Sequence, residues 1–334
     1  MTKERVLEAL RNRQDQYVSG AALAESLHVS RTAVWKAVEQ LRREGYPIES
    51  LPRMGHRLSS RSDVLSEFGI RQYLSDPGIR VQVFDSITST NTVLKQMAAE
   101  DAPEGTALVA AEQTAGRGRM GRSFYSPKGS GLYLSLLLRP ERTPRESTRL
   151  TACAAVAVAE AMEEIAKVSP EIKWVNDLLV RGKKVCGILT EAGLDFETGR
   201  MSYVIVGIGI NLRRPERDFP EELRGIAGPA FGSREIPDVR NRLAAGVLNR
   251  LMKYARDPEA DSIWQKYRDR LMVLGKQVLV LSPGQEPVQA TALDLERDYA
   301  LRVRLANGEE QILRSGEISI RVPEAADGNL RKRT

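Results

Sequence analysis

Between Thr114 and Pro127 the chain reads TAGRGRMGRSFYSP, with Arg117, Arg119 and Arg122 interleaved with Gly116, Gly118 and Gly121. Guanidinium forks match carboxylates and phosphates, and a glycine-rich backbone can approach a ligand closely at a high entropy cost of ordering. Such a stretch is a solvated loop or one ordered by what it binds. An anionic ligand, a nucleotide phosphate foremost, suits it; RNA binding and a plain solvated linker stay open. It lacks the closing Gly-Lys-Ser/Thr of the common phosphate loop, and GIGINL at 207–212 lacks the dinucleotide fingerprint. Histidine chemistry is excluded from the central region, because the only two histidines are His28 and His56. Two cysteines, Cys153 and Cys186, are too few for a metal cluster, and their apolar settings read as reduced packing positions. Lys, Arg, Asp, Glu, Asn and the backbone are left to do any chemistry.

The elements around the loop must position it. TALVAAEQT (106–114) reads as a strand entering the loop and GLYLSLLLRP (131–140) as a strand leaving it. RVQVFDSI (80–87) reads as another strand, followed by a helix over 89–100, so Ser89, Thr90 and Asn91 crowd a strand-to-helix junction. Hydroxyl and amide groups there suit capping, and the same place offers free N–H groups to a polar ligand. An alanine-rich helix over 146–166 can bury its small face on a sheet. EIKWVNDLLV (171–180), VCGILTEAG (185–193) and MSYVIVGIGINL (201–212) read as three further strands, the last ending in a Gly-Ile-Gly-Ile-Asn break. This is an α+β domain around a mixed or antiparallel sheet.

At 334 residues the chain predicts two or three domains, and 42% hydrophobic with 28% charged residues excludes disorder over most of it. No apolar run is long enough to span a bilayer and the first residues are charged, which predicts a cytoplasmic protein with no membrane partner. The net charge of +6 favours an anionic partner, and half of the excess lies in residues 1–60. There, Val6, Leu7 and Leu10 share one helical face, and SGAALAESL (19–27) and SRTAVWKAVEQLRREG (30–45) predict two helices with serine caps and a tight turn between them. This is the arrangement of a helix-turn-helix reader, with Ser30, Arg31, Thr32 and Lys36 facing DNA and Val34, Val38 and Leu41 facing inward. A turn near 52–55 between two short strands makes a wing, bringing Arg53, His56 and Arg57 near phosphates. A generic three-helix cap with a solvated basic face is the alternative. After a helix leading out of residue 261, five short strands suggest a small SH3-like barrel.

STN at 89–91, GRGRMGR at 116–122, KWVNDLLV at 173–180, KKVCGILTE at 183–191 and VGIGINL at 206–212 resemble, in this order, the biotin protein ligase family. With a helix-turn-helix in front, the chain is similar to the family's bifunctional bacterial form, both ligase and repressor of the biotin operon. The resemblance implies a winged helix-turn-helix over 1–62, a catalytic domain over 63–272 with a mixed sheet of the class II synthetase/biotin ligase type, an SH3-like domain over 273–323 and a tail over 324–334. It also implies the reaction. Biotin's carboxylate attacks the α-phosphate of ATP, giving biotinyl-5′-AMP and pyrophosphate, and a lysine of the biotin carboxyl carrier domain of acetyl-CoA carboxylase takes the biotinyl group. Two anions must meet, so fixed cations and Mg²⁺ matter more than a general base.

Residue by residue, the resemblance makes Lys184 the bridge between biotin's carboxylate and the α-phosphate, with Lys183 beside it as the competing position. Arg117, Gly118 and Arg119 match the segment that closes over biotin and the adenylate, Ser89, Thr90 and Asn91 the ureido-ring site, and Gln113 and Gly187 its neighbours. Arg122, Lys173, Asn176 and Asn211 fall on the nucleotide side, and Asp177 where a carboxylate could support a metal or the site itself. Phe124 stands where relatives often have tryptophan over adenine, and Met120 where some have a further arginine. Glu317 and Arg321, in the terminal GEISIR, would reach the site from the barrel or simply pair within it. The loop is expected to be disordered when empty and pinned when full, sheltering the adenylate from water. Biotinyl-AMP would then drive homodimerisation and operator binding. A lipoate ligase, a ligand-sensing repressor without transfer and an RNA clamp are the alternatives.

Overall fold

The computed structural model describes residues 2–59, 62–140, 147–194, 201–232, 236–281 and 286–314, and the backbone of Ser319–Arg321. The fold is α+β. By internal contacts the chain divides into two compact units, one of Met1–Leu74 with Ser233–Ala245, the other of Ser75–Gly232 with Gly246–Thr334.

In the first unit, α1 (Thr2–Arg11), α2 (Gly20–Leu27) and α3 (Arg31–Arg43) precede an antiparallel pair, β1 (Ile48–Leu51) and β2 (Gly55–Leu58), and a short α4 (Glu67–Arg71). Ser19 and Ser30 cap α2 and α3, each accepting from the backbone N–H three residues on. His28 takes a left-handed conformation that ends α2 and makes the tight turn. Val6, Leu7, Leu10, Val34, Val38 and Leu41 form the core, as their spacing predicts. The wing turn is tied down at Gly55, where a Cβ would stand 2.1 Å from the Val18 carbonyl oxygen. A side chain there would break the paired Val18 and His56 backbone bonds of 2.8 and 2.9 Å.

The unit also holds a polar cluster with no counterpart in the sequence pattern. Asn241 is wholly buried; its Oδ1 accepts from the Ser66 N–H at 3.0 Å, and its Nδ2 donates to the Val64 carbonyl at 2.7 Å and to Asp238 at 2.6 Å. Asp238 accepts from the Tyr73 hydroxyl and pairs with Arg11 at 3.3 Å. Burial raises the Asp238 carboxyl above its ordinary range, with Arg11 opposing.

The second unit begins with β3 (Arg80–Phe84), α5 (Thr90–Ala99), β4 (Thr106–Ala110) and β5 (Gly131–Leu138). It continues through α6 (Ser147–Ala166), β6 (Glu171–Lys173), β7 (Asp177–Val180), β8 (Lys183–Leu194) and β9 (Met201–Asn211). These strands make one seven-stranded mixed sheet in the order β3-β4-β5-β9-β8-β7-β6, parallel only between β3 and β4. Small side chains let α6 bury every position from Leu150 to Ala159. Then α7 (Val239–Arg256) starts in the first unit and ends in the second, followed by α8 (Asp261–Asp269). A five-stranded antiparallel sheet closes the described chain, in the order β13-β12-β11-β10-β14: β10 (Gln277–Leu281), β11 (Val288–Leu295), β12 (Leu301–Leu305), β13 (Glu310–Leu313) and β14 (Ser319–Arg321). Its strand number matches the SH3-like domain.

Two expectations need correction. The strand expected over 171–180 is a hairpin, β6 and β7, because tertiary contacts hold its turn: Trp174 Nε1 donates to the Tyr299 carbonyl at 2.8 Å, and the Tyr267 hydroxyl donates to that of Val175 at 3.0 Å. The Gly-Ile-Gly-Ile-Asn stretch is no break, since β9 pairs with β5 through Asn211. Among the described residues, no helix is long and apolar enough to cross a membrane.

Asn241→Ala strips a buried N–H, a carbonyl and a carboxyl of partners at once, so it should cost about 2 kcal/mol or more. A fall in the urea midpoint of the transition reported by this unit is the expected result, and an unchanged midpoint would show that water replaces the amide.

Candidate active site

Three strands build one face of the site. Directly paired across them are Ser135 of β5 with Gly207 of β9, Tyr133 with Gly209, Gly209 with Gly187 of β8, and Gly207 with Leu189. The three glycines leave a floor without side chains, and two side chains from outside the sheet lie on it. A Cβ on Gly207 would stand 2.0 Å from Asn91 Oδ1, and one on Gly209 2.5 Å from the Phe124 ring. Phe124, at the loop's exit, also meets the Tyr133 ring edge-on, with centroids 6.5 Å apart.

Asn91 and Thr90 arrive on the first turn of α5, capped by Ser89, whose Oγ accepts from Thr92 N. Beyond β4, an isolated parallel bridge between Ile87 and Gln113 keeps the chain in register and brings Gln113 beside that turn. Gln113 Oε1 accepts from the Thr90 N–H at 2.9 Å and from its hydroxyl at 3.1 Å. Ser135, wholly buried, lies 2.6 Å from Asn91 Oδ1 and 2.7 Å from Thr90 Oγ1. This is the polar end of the cleft.

The cations come from the loop and from β8. In the loop, Phe124 N donates to the Gly116 carbonyl and Gly118 N to that of Arg122, so its stems pair before a single 3₁₀ turn at Arg119–Gly121. Arg119 Nη1 donates to Asn176 Oδ1 at 2.9 Å, and burial pulls its pKa below the usual arginine range. Arg117 pairs with Glu191 at 3.0 Å. Lys184 and Gly187 are an odd number of residues apart, so in a regular strand they would face opposite sides. A register shift in the β7–β8 pairing, between Leu178 and Leu179, leaves Val185 unopposed and turns Lys184 onto the cleft face. There its Nζ meets Asp177 Oδ1 at 2.7 Å, while Lys183 donates instead to the Gly225 carbonyl at 2.6 Å.

Ser89, Thr90, Asn91, Gln113, Arg117, Gly118, Arg119, Phe124, Asn176, Lys184 and Gly187 thus share one cleft. Asp177 stands behind Lys184, and Asn211 Nδ2 faces the Lys184 carbonyl at 3.5 Å. Arg122 is exposed and Lys173 sits on β6, neither lining the cleft. Glu317 lies outside the described residues, as does the tail over 324–334; Arg321 belongs to β14, where its backbone pairs with Leu279. Sequence reasoning missed Ser135, Leu189, Glu191, Gly207 and Gly209. Alternation along GILTE puts Leu189 and Glu191 on the face of Gly187, and Ser135 is the lone polar residue within LYLSLLL. Both signals were readable.

In the first unit, Arg31, Thr32 and Lys36 are exposed on α3 around an exposed Trp35, and Ser30 is occupied as the cap. Arg53 holds a left-handed turn conformation at the wing tip. Arg57 is bound to Glu49 and lies over the Tyr17 ring, 4.8 Å from its centroid.

Residues 83–211 match the biotin/lipoate A/B protein ligase family, residues 2–57 an HTH domain and residues 273–321 the biotin protein ligase C terminal domain. Over 314 residues, 90% of this chain and 94% of the other, the chain is 30% identical to the bifunctional ligase/repressor BirA of Escherichia coli. The chain belongs to the biotin protein ligase family, in its bifunctional ligase/repressor form. It is 43% identical to the bifunctional ligase/repressor BirA of Bacillus subtilis over 224 residues, 66% of this chain and 68% of that one. Among solved structures, the biotin protein ligase from Aquifex aeolicus in complex with biotin and ATP aligns with a TM-score of 0.60 at 30% identity, covering 73% of this chain and 99% of that chain.

For a ligase of this family the glycine floor is a direct test. Gly207→Ala drives a methyl into Asn91 and should lower biotin affinity by about tenfold or more, the scale of one lost buried hydrogen-bonded group. Titration calorimetry with biotin checks it, and wild-type affinity would mean that Asn91 does not bear on the ligand.

Proposed function

We propose that this protein joins biotin to ATP, giving biotinyl-5′-AMP and pyrophosphate, transfers the biotinyl group to a carrier lysine, and represses biotin genes with the adenylate as corepressor. The observation that carries the reading is the convergence of Lys184, Arg119 and Arg117 on a cleft that Thr90, Asn91 and Gln113 also line. In the first step a carboxylate oxygen forms a bond to the α-phosphorus and the bond to the bridging oxygen of pyrophosphate breaks. Lys184 neutralises both approaching anions, Arg119 takes charge developing on the phosphoryl oxygens, and Arg117 holds the loop over the acid. In the second step the carrier's amine attacks the acyl carbon and AMP leaves. Its acceptor is the biotin carboxyl carrier domain of acetyl-CoA carboxylase.

The nucleotide side is assigned to Asn176, Asn211, Phe124, Lys173 and Arg122, with the domain limits 1–62, 63–272 and 273–323. Among the described residues no three His, Cys, Asp or Glu cluster for a metal. Mg²⁺ would be held mainly by phosphates and water, with Asp177 as the carboxylate at hand; it would supply charge neutralisation on the leaving pyrophosphate. A cytoplasmic enzyme that dimerises when the adenylate orders its loop fits the reading.

ATP–pyrophosphate exchange tests the first step. Biotin-dependent exchange in the wild type, falling by roughly two orders of magnitude in Lys184→Ala, is expected for loss of a key electrostatic contact. Exchange supported by lipoate and not biotin would place the wrong acid in the cleft. Repression is tested separately with a DNA fragment from upstream of the host's biotin genes. Biotin with ATP should tighten binding, and Arg31→Ala or Lys36→Ala should each reduce the salt slope by about 1. Indifference to biotin and ATP would remove the corepressor role.

A further inference from the structure

A carboxylate is an unexpected neighbour for a cleft where two anions must meet, yet Glu191 touches two of the residues that line it. It sits on β8 with its side chain 20% exposed, and it touches both sides of the cleft. Oε2 accepts from Asn91 Nδ2 at 2.8 Å and from Arg117 Nη1 of the loop at 3.3 Å, and Oε1 lies 3.0 Å from the same Nη1. Because a carboxylate only accepts, Asn91 must turn its NH₂ toward Glu191. That NH₂ also donates to the Leu189 carbonyl at 3.2 Å, so both amide protons are taken. Asn91 Oδ1 then faces Ser135, whose hydroxyl donates to it.

From Ser135 the run continues to the far end of the loop. Ser135 Oγ also lies 2.7 Å from Thr90 Oγ1, the Thr90 backbone N–H donates to Gln113 Oε1 at 2.9 Å, Gln113 Nε2 donates to Ser126 Oγ at 3.0 Å, and the Ser126 hydroxyl donates to the Phe124 carbonyl at 2.9 Å. One hydrogen-bonded run therefore joins Arg117, at the loop's entry, to Phe124, at its exit. Its polarity starts at Glu191.

We propose that Glu191 is a positioning residue for the acid substrate, acting through Asn91 and Arg117. By taking an amide proton it leaves Asn91 only acceptor capacity toward a ligand, which suits a ring N–H such as those of a cyclic urea. By pairing with Arg117 it holds the loop's first arginine beside the polar end until a ligand anion displaces it. The first of these roles deepens the adenylation reading and rests on it; the second does not.

Two variants separate the roles. Glu191→Gln can still accept from Asn91 but loses the charge that holds Arg117; Glu191→Ala loses both contacts. In exchange assays, Glu191→Ala should raise the KM for biotin by roughly tenfold, with the KM for ATP and kcat within about threefold of wild type, as for loss of a charged hydrogen bond confined to one ligand. Glu191→Gln should raise it less. With no ligand present, trypsin should cut the loop at Arg117 and Arg119 faster in both variants than in wild type. An unchanged biotin KM in Glu191→Ala, or a rise matched by the ATP KM and a fall in kcat, would overturn the role through Asn91. Equal cleavage in wild type and Glu191→Gln would overturn the role through Arg117. Should Glu191→Ala fail to fold, Ser135→Ala releases Asn91 from its other side and must give the same KM split. A wild type without biotin-dependent exchange defeats the adenylation reading instead, and the cleavage comparison still decides whether Glu191 holds the loop.

Discussion

Lys184, Arg117 and Arg119 must stand in one cleft before any anion arrives to compensate them. Two like charges about 6 Å apart repel by about 3 kcal/mol at the effective dielectric of a protein site. Each cation has a resident partner: Asp177 for Lys184, Glu191 for Arg117 and the neutral Asn176 for Arg119. The unequal partnering matters. Arg119 is the one whose charge is left uncompensated by its contact and whose burial already disfavours that charge. The role proposed for it, meeting charge on the phosphoryl oxygens, would supply the compensation that its neutral partner does not.

That requirement fixes the sheet beneath. Asp177 and Asn176 can partner the cations only if the 171–180 segment folds back as a hairpin, and Lys184 can face them only if the β7–β8 pairing slips by one residue. The opposite flank is set by what must lie flat on the strands. Gly187 and Gly209 are paired across β8 and β9, Gly207 lies two residues along β9, and their missing side chains leave the space that Asn91 and Phe124 occupy. The same glycines therefore seat both Asn91 and the loop's exit.

Much of this was readable from the chain alone. Helices over the first 45 residues follow from apolar spacing and serine caps, and the motif residues that share the cleft are those whose types and order carry the family resemblance. What escaped has a common cause. Periodicity sees one strand in EIKWVNDLLV because the buried Trp174 and Val175 look like strand core; their actual partners, Tyr299 and Tyr267, lie some hundred residues away. GIGIN looks like a break because glycine is rare inside strands, unless something else fills the vacant face. Lys184 over Lys183 is decided by a bulge that alternation alone would get backwards. Asn241 is plain helix filler in sequence and the centre of a buried cluster in the fold. In each case the deciding contact is non-local, and one segment's pattern cannot report it.

The strength of the loop's anchors is as important as their existence. Arg117 is 46% exposed, so its pair with Glu191 belongs to the class of ion pairs contributing about 1 kcal/mol or less. Such a contact biases the loop without locking it, and a ligand carboxylate or phosphate can replace it at little cost. At the other stem, Phe124 is held by ring contacts on the glycine floor and by a backbone bond to Gly116, which no ligand charge competes with. The loop is thus hinged at its aromatic end and latched at its arginine end. The two ends of the loop are therefore held unequally, one by a partly exposed ion pair and the other by ring and backbone contacts. Had both ends been tied by buried charge pairs, opening would strand unpaired ions at a cost of several kcal/mol, and substrate entry would be the slow step.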